Sequence, residues 1–158
     1  MRWWWPFGDK GSDSVQAVPE LPPEHWVHSE GALAGLPLQA RFDHALRHVA
    51  ARSPWQFFVG ITAFLQSPGE DGLPVDSEAR ELKLLEAHLR REFGRGQNSV
   101  PAGVITNDGR VQFVLYTSDP EAAKERYRRL RQEFPGFELQ LDVVEDTAWA
   151  VYGQFVRP

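Results

Sequence analysis

Hydrophobic residues occupy every second position from Trp55 to Leu65. Successive side chains of a β-strand point to opposite faces, so this spacing gathers the apolar residues on one face of a strand. The Gly- and Pro-containing stretch at 67–74 then interrupts regular structure. A strand with one apolar face requires neighbouring strands and a layer packed on that face, so this segment predicts a sheet.

The segments after this strand carry their own boundary signals. They are a helix that Asp76 or Ser77 caps and that runs to about Phe93, strands at 100–106 and 110–117, a helix at 120–134 and a strand at 137–143. Asn107-Asp108-Gly109 predicts a tight hairpin, because its turn requires residues that tolerate positive φ. Asp119 and Pro120 are typical of a helix start. The order β-α-β-β-α-β predicts an α+β fold of the split βαβ (ferredoxin-like) kind, an antiparallel sheet with two long helices.

Two further elements are expected at the ends of this unit. Segments 26–30 and 36–42 flank a Gly-rich stretch and predict an N-terminal β-hairpin, since apolar and polar residues alternate along the second segment. Near the C-terminus, Trp149, Tyr152 and either Phe155 or Val156 are spaced to lie on one side of a short helix.

The domain organisation follows from composition. Residues 1–24 contain Gly, Ser and four prolines, which predicts a flexible tail with an aromatic cluster, and residues 25–158 form a single α+β domain. The chain has no cysteine, which excludes disulfides and thiolate chemistry and fits a reducing compartment. No export signal and no apolar run of about 20 residues occur, so we expect a cytoplasmic protein without a membrane span.

Residue patterns that support catalysis are not found. The sequence has neither a phosphate-binding glycine motif nor a zinc-binding histidine motif, and no serine sits in a nucleophile elbow. We therefore expect no catalytic residue, no cofactor and no metal, and interpret the chain as non-enzymatic. The alternative is an enzyme of unknown reaction that uses residues near Arg41, Asp43 and His44. A pocket joining these three to a partly buried carboxylate would favour that alternative.

A second alternative is a single-stranded RNA-binding module. Basic residues crowd the second long helix, and Phe113-Val114-x-Tyr116 is similar to the end of an RNA-recognition strand motif. Glutamates interleave with the basic residues, however, and the start of the strand motif is missing. The net charge of −5 also disfavours nucleic acid, so we do not favour this partner.

Several motifs in order resemble the bacterial domain of unknown function 695 family. They are Asp71-Gly72-Leu73-Pro74, Val104 to Arg110, Phe113 to Thr117 leading into Asp119-Pro120, Phe134 to Phe137, and the ending from Trp149 to Pro158. The family pattern has Pro-Glu before the terminal Trp, where this chain has Thr147-Ala148. The resemblance implies no known activity, cofactor or site residue. Such domains look similar to the ribonuclease E inhibitor type of domain, which implies a split βαβ fold and a regulatory, protein-binding role.

The second face of the sheet is a candidate interaction surface. Alternation assigns one set of residues to the helix side: Trp55, Phe57, Val59, Ile61, Phe113, Leu115, Leu139 and Leu141. The other side then carries Phe58, Thr62, Phe64, Val114 and Tyr116. Because this second face has an apolar centre, we expect the N-terminal hairpin, the tail or a second copy of the chain to cover it.

The function expected from these observations is a non-enzymatic protein-binding or regulatory domain. Its candidate interaction residues are Phe58, Phe64, Val114 and Tyr116 on the sheet, and Trp3, Trp4 and Trp5 in the tail. The expected partner is another protein or a second copy, with a homodimer formed through the second sheet face.

Overall fold

A computed structural model of the protein describes residues 20–50, 53–95 and 98–157. Its strands are β1 (Trp26–Leu33), β2 (Leu36–Asp43), β3 (Phe57–Phe64), β4 (Ser99–Asn107), β5 (Arg110–Thr117) and β6 (Glu138–Glu145). Its helices are α1 (Asp76–Glu92), α2 (Pro120–Glu133) and α3 (Ala150–Phe155), with a short 3-10 helix at His44–His48. The predicted α+β class, the order of elements, the N-terminal hairpin and the short C-terminal helix are confirmed.

The strands form one six-stranded antiparallel sheet with the order β1-β2-β4-β5-β3-β6. The turn between β1 and β2 contains only Ala34 and Gly35, both with positive φ. Such a two-residue turn matches the twist of the strands it joins, so β1 continues to Leu33, past the end predicted at Glu30. The predicted Gly-rich connection is therefore largely strand.

A first core lies between the sheet and helices α1 and α2. Its apolar stripes come from Leu82, Leu85, Leu89 and Phe93 on α1 and from Ala123, Tyr127 and Leu130 on α2. Val59, Ile61, Phe113 and Leu115 meet them from the sheet, as alternation predicts. Helix α2 begins as expected, because the Asp119 side chain accepts from the N–H of Ala122 at 3.0 Å. Helix α1 instead has Val75 at its N-cap, where the prediction placed Asp76 or Ser77.

A second core lies on the opposite face of the sheet. Phe58, Val114 and Tyr116 are at most 1% exposed there, beneath residues of the C-terminal segment and the 3-10 helix. Those covering residues include Leu46, Trp149, Val151, Tyr152 and Val156. The prediction that this face needs a cover is confirmed, but the chain's own C-terminal segment supplies it. The predicted cover by the hairpin or by a second copy is wrong. Of the predicted tail at 1–24, residues 1–19 lie outside the described residues, and Leu21 packs partly buried against this core.

Trp55 belongs to this second core and not to the helix side where alternation placed it. Strand β3 begins only at Phe57, so the two-residue period does not extend back to Trp55. The indole nitrogen of Trp149 donates to the Trp55 carbonyl at 2.8 Å. This contact ties the C-terminal segment to the entrance of β3.

Two loops meet at one end of the sheet. The N–H of Gly109, in the β4–β5 turn, donates to the Gly72 carbonyl at 2.8 Å. Gly72 has φ +80°, and a Cβ added there would lie 2.9 Å from the Asp108 Cα. The Asp71–Pro74 loop and the Asn107–Gly109 turn are thus held together by backbone, which explains why this position requires glycine.

No helix in the described part of the chain is long and apolar enough to cross a membrane.

Candidate functional site

A groove lies where the sheet extends beyond its helices. Helices α1 and α2 pack on the residues of β3, β4, β5 and β6, whereas β2 and β1 continue the sheet on the far side of β4. Neighbouring strands are about 4.8 Å apart and a helix is about 10 Å wide, so each helix covers about two strands. The helix-side face of β1 and β2 therefore stays open beside α1. We call this concave region the α1–hairpin groove.

One face of α1 forms a wall of the groove. Ala79, Lys83 and Glu86 line it, and Arg90 follows Glu86 by four residues. Spacings of three and four residues place side chains on one face of a helix. This face lies beside the buried stripe that begins at Leu82, so the same helix serves both the first core and the groove.

The groove floor is apolar next to α1 and polar farther out. Its apolar part includes Pro74, Leu82, Val104, Val111 and Phe113, and Gln39, Arg41 and Thr106 complete the lining. The volume is about 270 Å³. Small-molecule pockets typically have about 300–1,000 Å³. A space of this size with an apolar floor suits one or two side chains of a protein segment better than a large cofactor.

An ion pair bridges the two sides of the groove. The guanidinium of Arg41, on β2, donates through Nη2 to Oε1 of Glu86 on α1. The two side chains are 32% and 21% exposed, so water only partly screens the pair. The bridge fixes the position of β2 relative to α1.

An aromatic residue and an arginine close one end of the groove. The Arg90 guanidinium lies 4.6 Å from the ring centroid of Trp26, the first residue of β1. This distance is within the range of a cation–π interaction, which is strongest over tryptophan. Trp and Arg are also the residue types that contribute most often to binding energy at protein interfaces.

The α1 side of the groove rim carries two positively charged residues. Glu86 neutralises Arg41, whereas Lys83 and Arg90 make no ion pair within the described ranges. The chain as a whole has a net charge of −5, so these two positive charges are opposite in sign to the net charge of the chain. A ligand with carboxylate groups would be attracted here.

Residues 24–156 match the family of unknown function DUF695. The chain belongs to the DUF695 family. The comparisons with curated proteins and with solved structures gave no match. The DUF695 match begins just before β1 and includes α1, so it spans both sides of the groove.

Within the described residues of this DUF695 chain, the three residues considered for an enzyme have different surroundings. Arg41 lies in the groove, whereas Asp43 is fully buried and His44 lies in the 3-10 helix. Asp43 Oδ1 accepts from the N–H groups of His25 at 2.8 Å and Ala45 at 3.1 Å, which caps the 3-10 helix. Arg41 instead contacts the partly buried carboxylate of Glu86 on α1. Among the described residues, no hydrogen bond joins Glu86 to Asp43 or His44.

The Asp43 carboxylate has a basic neighbour. Its Oδ2 makes no hydrogen bond to the residues that the structure describes and lies 3.7 Å from Nη2 of Arg95. Burial lowers the pKa of His44, and the neighbouring His25 and Arg47 lower it further. In the described ranges, no group of three or more histidine or carboxylate side chains is arranged to hold a metal ion.

The predicted interaction residues occupy different places. Phe58, Val114 and Tyr116 are buried in the second core and present no surface to a partner, so the prediction of a homodimer through them is wrong. Phe64, at the end of β3, is half-buried. Trp3, Trp4 and Trp5 lie outside the described residues.

Four of the five basic residues of α2 make contacts within the chain. Lys124 pairs with Glu121 at 3.0 Å, and Arg128 pairs with Glu125 at 2.7 Å. The Arg126 guanidinium lies 5.7 Å from the Phe93 ring centroid. These contacts agree with the interpretation of α2 as a solvated helix face.

Proposed function

We propose that the chain is a non-enzymatic, cytoplasmic protein-binding or regulatory domain, and that the α1–hairpin groove is its binding site. The observation that carries this proposal is the extension of the sheet by β1 and β2 beyond α1, which leaves an apolar floor beneath a charged rim. We further propose that β3 to β6 form a split βαβ unit to which the hairpin adds two strands. The strand order β4-β5-β3-β6 supports this assignment.

The chemistry of the groove suits a protein segment with an apolar residue next to carboxylates. The apolar residue would rest on the floor at Val104 and Phe113, which are 7% and 4% exposed, while Lys83 and Arg90 would attract the carboxylates. The Trp26 ring beneath Arg90 provides a rigid surface at one end. Arg41 and Glu86 satisfy each other's charge, so neither is poised for proton transfer.

The RNA-binding alternative receives less support from the same geometry. Sheets of this kind that bind single-stranded RNA stack its bases on exposed aromatic residues. Here the corresponding residues of the second face, Phe58 and Tyr116, lie beneath the C-terminal segment. Lys124 and Arg128 of α2 are paired with glutamates, and the guanidinium groups of Arg126 and Arg131 lie over aromatic rings.

The proposal is tested by selecting ligands from a displayed library of random peptides with the full chain immobilised. We expect enriched peptides to combine an aliphatic or aromatic residue with neighbouring Asp or Glu. Calorimetric titration of one such peptide should show affinity at least about tenfold weaker for Lys83→Glu/Arg90→Glu, a change of about 1.4 kcal/mol.

A matched control has the same change of net charge on another helix. Arg128→Glu/Arg129→Glu alters two exposed residues of α2 and should change peptide affinity less than about twofold, because distant rim charges contribute little. Equal losses for the two double variants would show non-specific attraction, and a library without enriched sequences would oppose a peptide-binding role for the groove.

A further inference from the structure

The outer edge of β1 is unpaired in the part of the chain that the structure describes. Strand β1 is the first in the sheet and hydrogen-bonds only to β2 among the described strands. His28, Ser29, Glu30, Gly31 and Ala32 are exposed along this edge. An edge strand presents a row of free N–H and C=O groups, which other strands can bind.

The pairing with β2 determines which backbone groups point outward. Leu33 and Leu36 close the two-residue turn, and such closing residues form a hydrogen-bonded pair. At the other end of the strand, the N–H of His44 donates to the His25 carbonyl at 2.8 Å. Residue 25 is odd-numbered like Leu33, so the same alternation holds at both ends. Odd-numbered residues of β1 therefore bond to β2. The outward N–H and C=O groups belong to Trp26, His28, Glu30 and Ala32.

The two edge strands of the sheet differ in how well they are protected against pairing with another strand. Native edge strands avoid uncontrolled pairing through lysines, prolines, bulges or several charges. Strand β6 carries Glu138, Asp142 and Glu145, whereas β1 has neither lysine nor proline and pairs with β2 without a bulge. Its only carboxylate is Glu30. The β1 edge is therefore the one suited to pairing with another strand.

We propose that β1 pairs antiparallel with β1 of a second copy of this chain, about a two-fold axis at Ser29. In this register His28 faces Glu30 of the second copy and Trp26 faces Ala32. Each of these residues has its backbone groups pointing outward, so each pair exchanges two hydrogen bonds. The two sheets become one continuous antiparallel sheet.

The side chains of β1 complement themselves in this register. His28 faces a carboxylate, the large Trp26 and Val27 face the small Ala32 and Gly31, and the serines meet at the axis. A two-fold axis at His28 would place histidine against histidine, and one at Glu30 would place glutamate against glutamate. Of these three registers, only the axis at Ser29 places each histidine opposite a glutamate.

Light scattering during gel filtration of the full chain measures the first consequence. We expect wild-type protein at high micromolar concentration to have near twice the chain mass of 18.0 kDa. His28→Glu places a second carboxylate opposite Glu30 and should weaken dimerisation at least tenfold. Adding Glu30→Lys places a lysine opposite each new glutamate at position 28, so the double variant should dimerise again. A monomeric wild type, or a His28→Glu variant that dimerises like wild type, would overturn the proposal.

A disulfide cross-link measures the register directly. Facing residues of a non-hydrogen-bonded pair have Cα atoms about 4.5 Å apart, within the range that a disulfide spans. The chain has no cysteine of its own, so Ser29→Cys should give a cross-linked dimer under mild oxidation. Ala32→Cys on the same strand is the control, because residue 32 lies far from its own copy. Failure of Ser29→Cys to cross-link, or equal cross-linking of both variants, would contradict the register.

Discussion

The hydroxyl of Tyr116 donates to Oδ2 of Asp146 at 2.8 Å inside the second core. The same carboxylate accepts from the N–H groups of Ala150 at 2.7 Å and Val151 at 3.2 Å, so it holds the start of α3 on the sheet. The Tyr116 ring stacks on Trp149 with centroids 3.9 Å apart. These contacts make the C-terminal segment the cover of the second face.

Tyr116→Phe removes a hydrogen bond to a buried carboxylate without changing the ring stack. We expect a loss of about 1–3 kcal/mol in the free energy of unfolding, measured by urea denaturation. Tyr127→Phe is the control, because the Tyr127 hydroxyl makes no hydrogen bond within the described residues. Equal stability of Tyr116→Phe and wild type would show that the Asp146 bond does not hold the C-terminal segment.

Stability should fall at alkaline pH. Burial raises the pKa of Tyr116, and the Asp146 charge raises it further. Burial and the Asp43 charge likewise raise the pKa of Tyr152. Unfolded tyrosine has a pKa of about 10, so both groups stabilise the fold below that pH and lose the contribution as pH rises above it. We expect the melting temperature to stay constant up to about pH 9 and to fall above pH 10. The fall should be shallower in Tyr116→Phe, which lacks one of the two hydroxyl groups.

Gly72→Ala should destabilise the protein by about 1–3 kcal/mol, because the backbone has positive φ and the new Cβ would meet the Asp108 backbone. Gly136→Ala is the matched control, since a Cβ there meets nothing within 4 Å. Thermal unfolding of the two variants gives the comparison. Similar melting temperatures would mean that the two loops adjust at no cost.

Local patterns were sufficient to predict most of the fold. Asp119 and Pro120 specify the start of α2, and Asn107-Asp108-Gly109 specifies the β4–β5 hairpin, because each acts through neighbouring backbone. The face of Trp55 was predicted wrongly, since nothing in the alternation marks where β3 begins. The cover of the second face was missed because it joins Trp149 to Tyr116 across a long stretch of chain.

The groove was harder to predict from one sequence. The spacing of Ala79, Lys83, Glu86 and Arg90 is a helical face that the sequence does contain. That this helical face forms one wall of a groove depends on the contact between Arg41 and Glu86. These two residues lie 45 positions apart in the sequence, and the pairing of β2 with β4 brings them together. A single sequence does not record such long-range contacts.

The most direct test of the binding groove is an NMR titration of the full chain with an apolar–acidic peptide chosen by selection. We expect the largest amide shifts on β2, on β4 near Val104 and on α1 between Ala79 and Arg90, with small shifts on α2 and β6. Shifts concentrated on α2 or β6, or an unchanged spectrum at saturating peptide, would contradict the account.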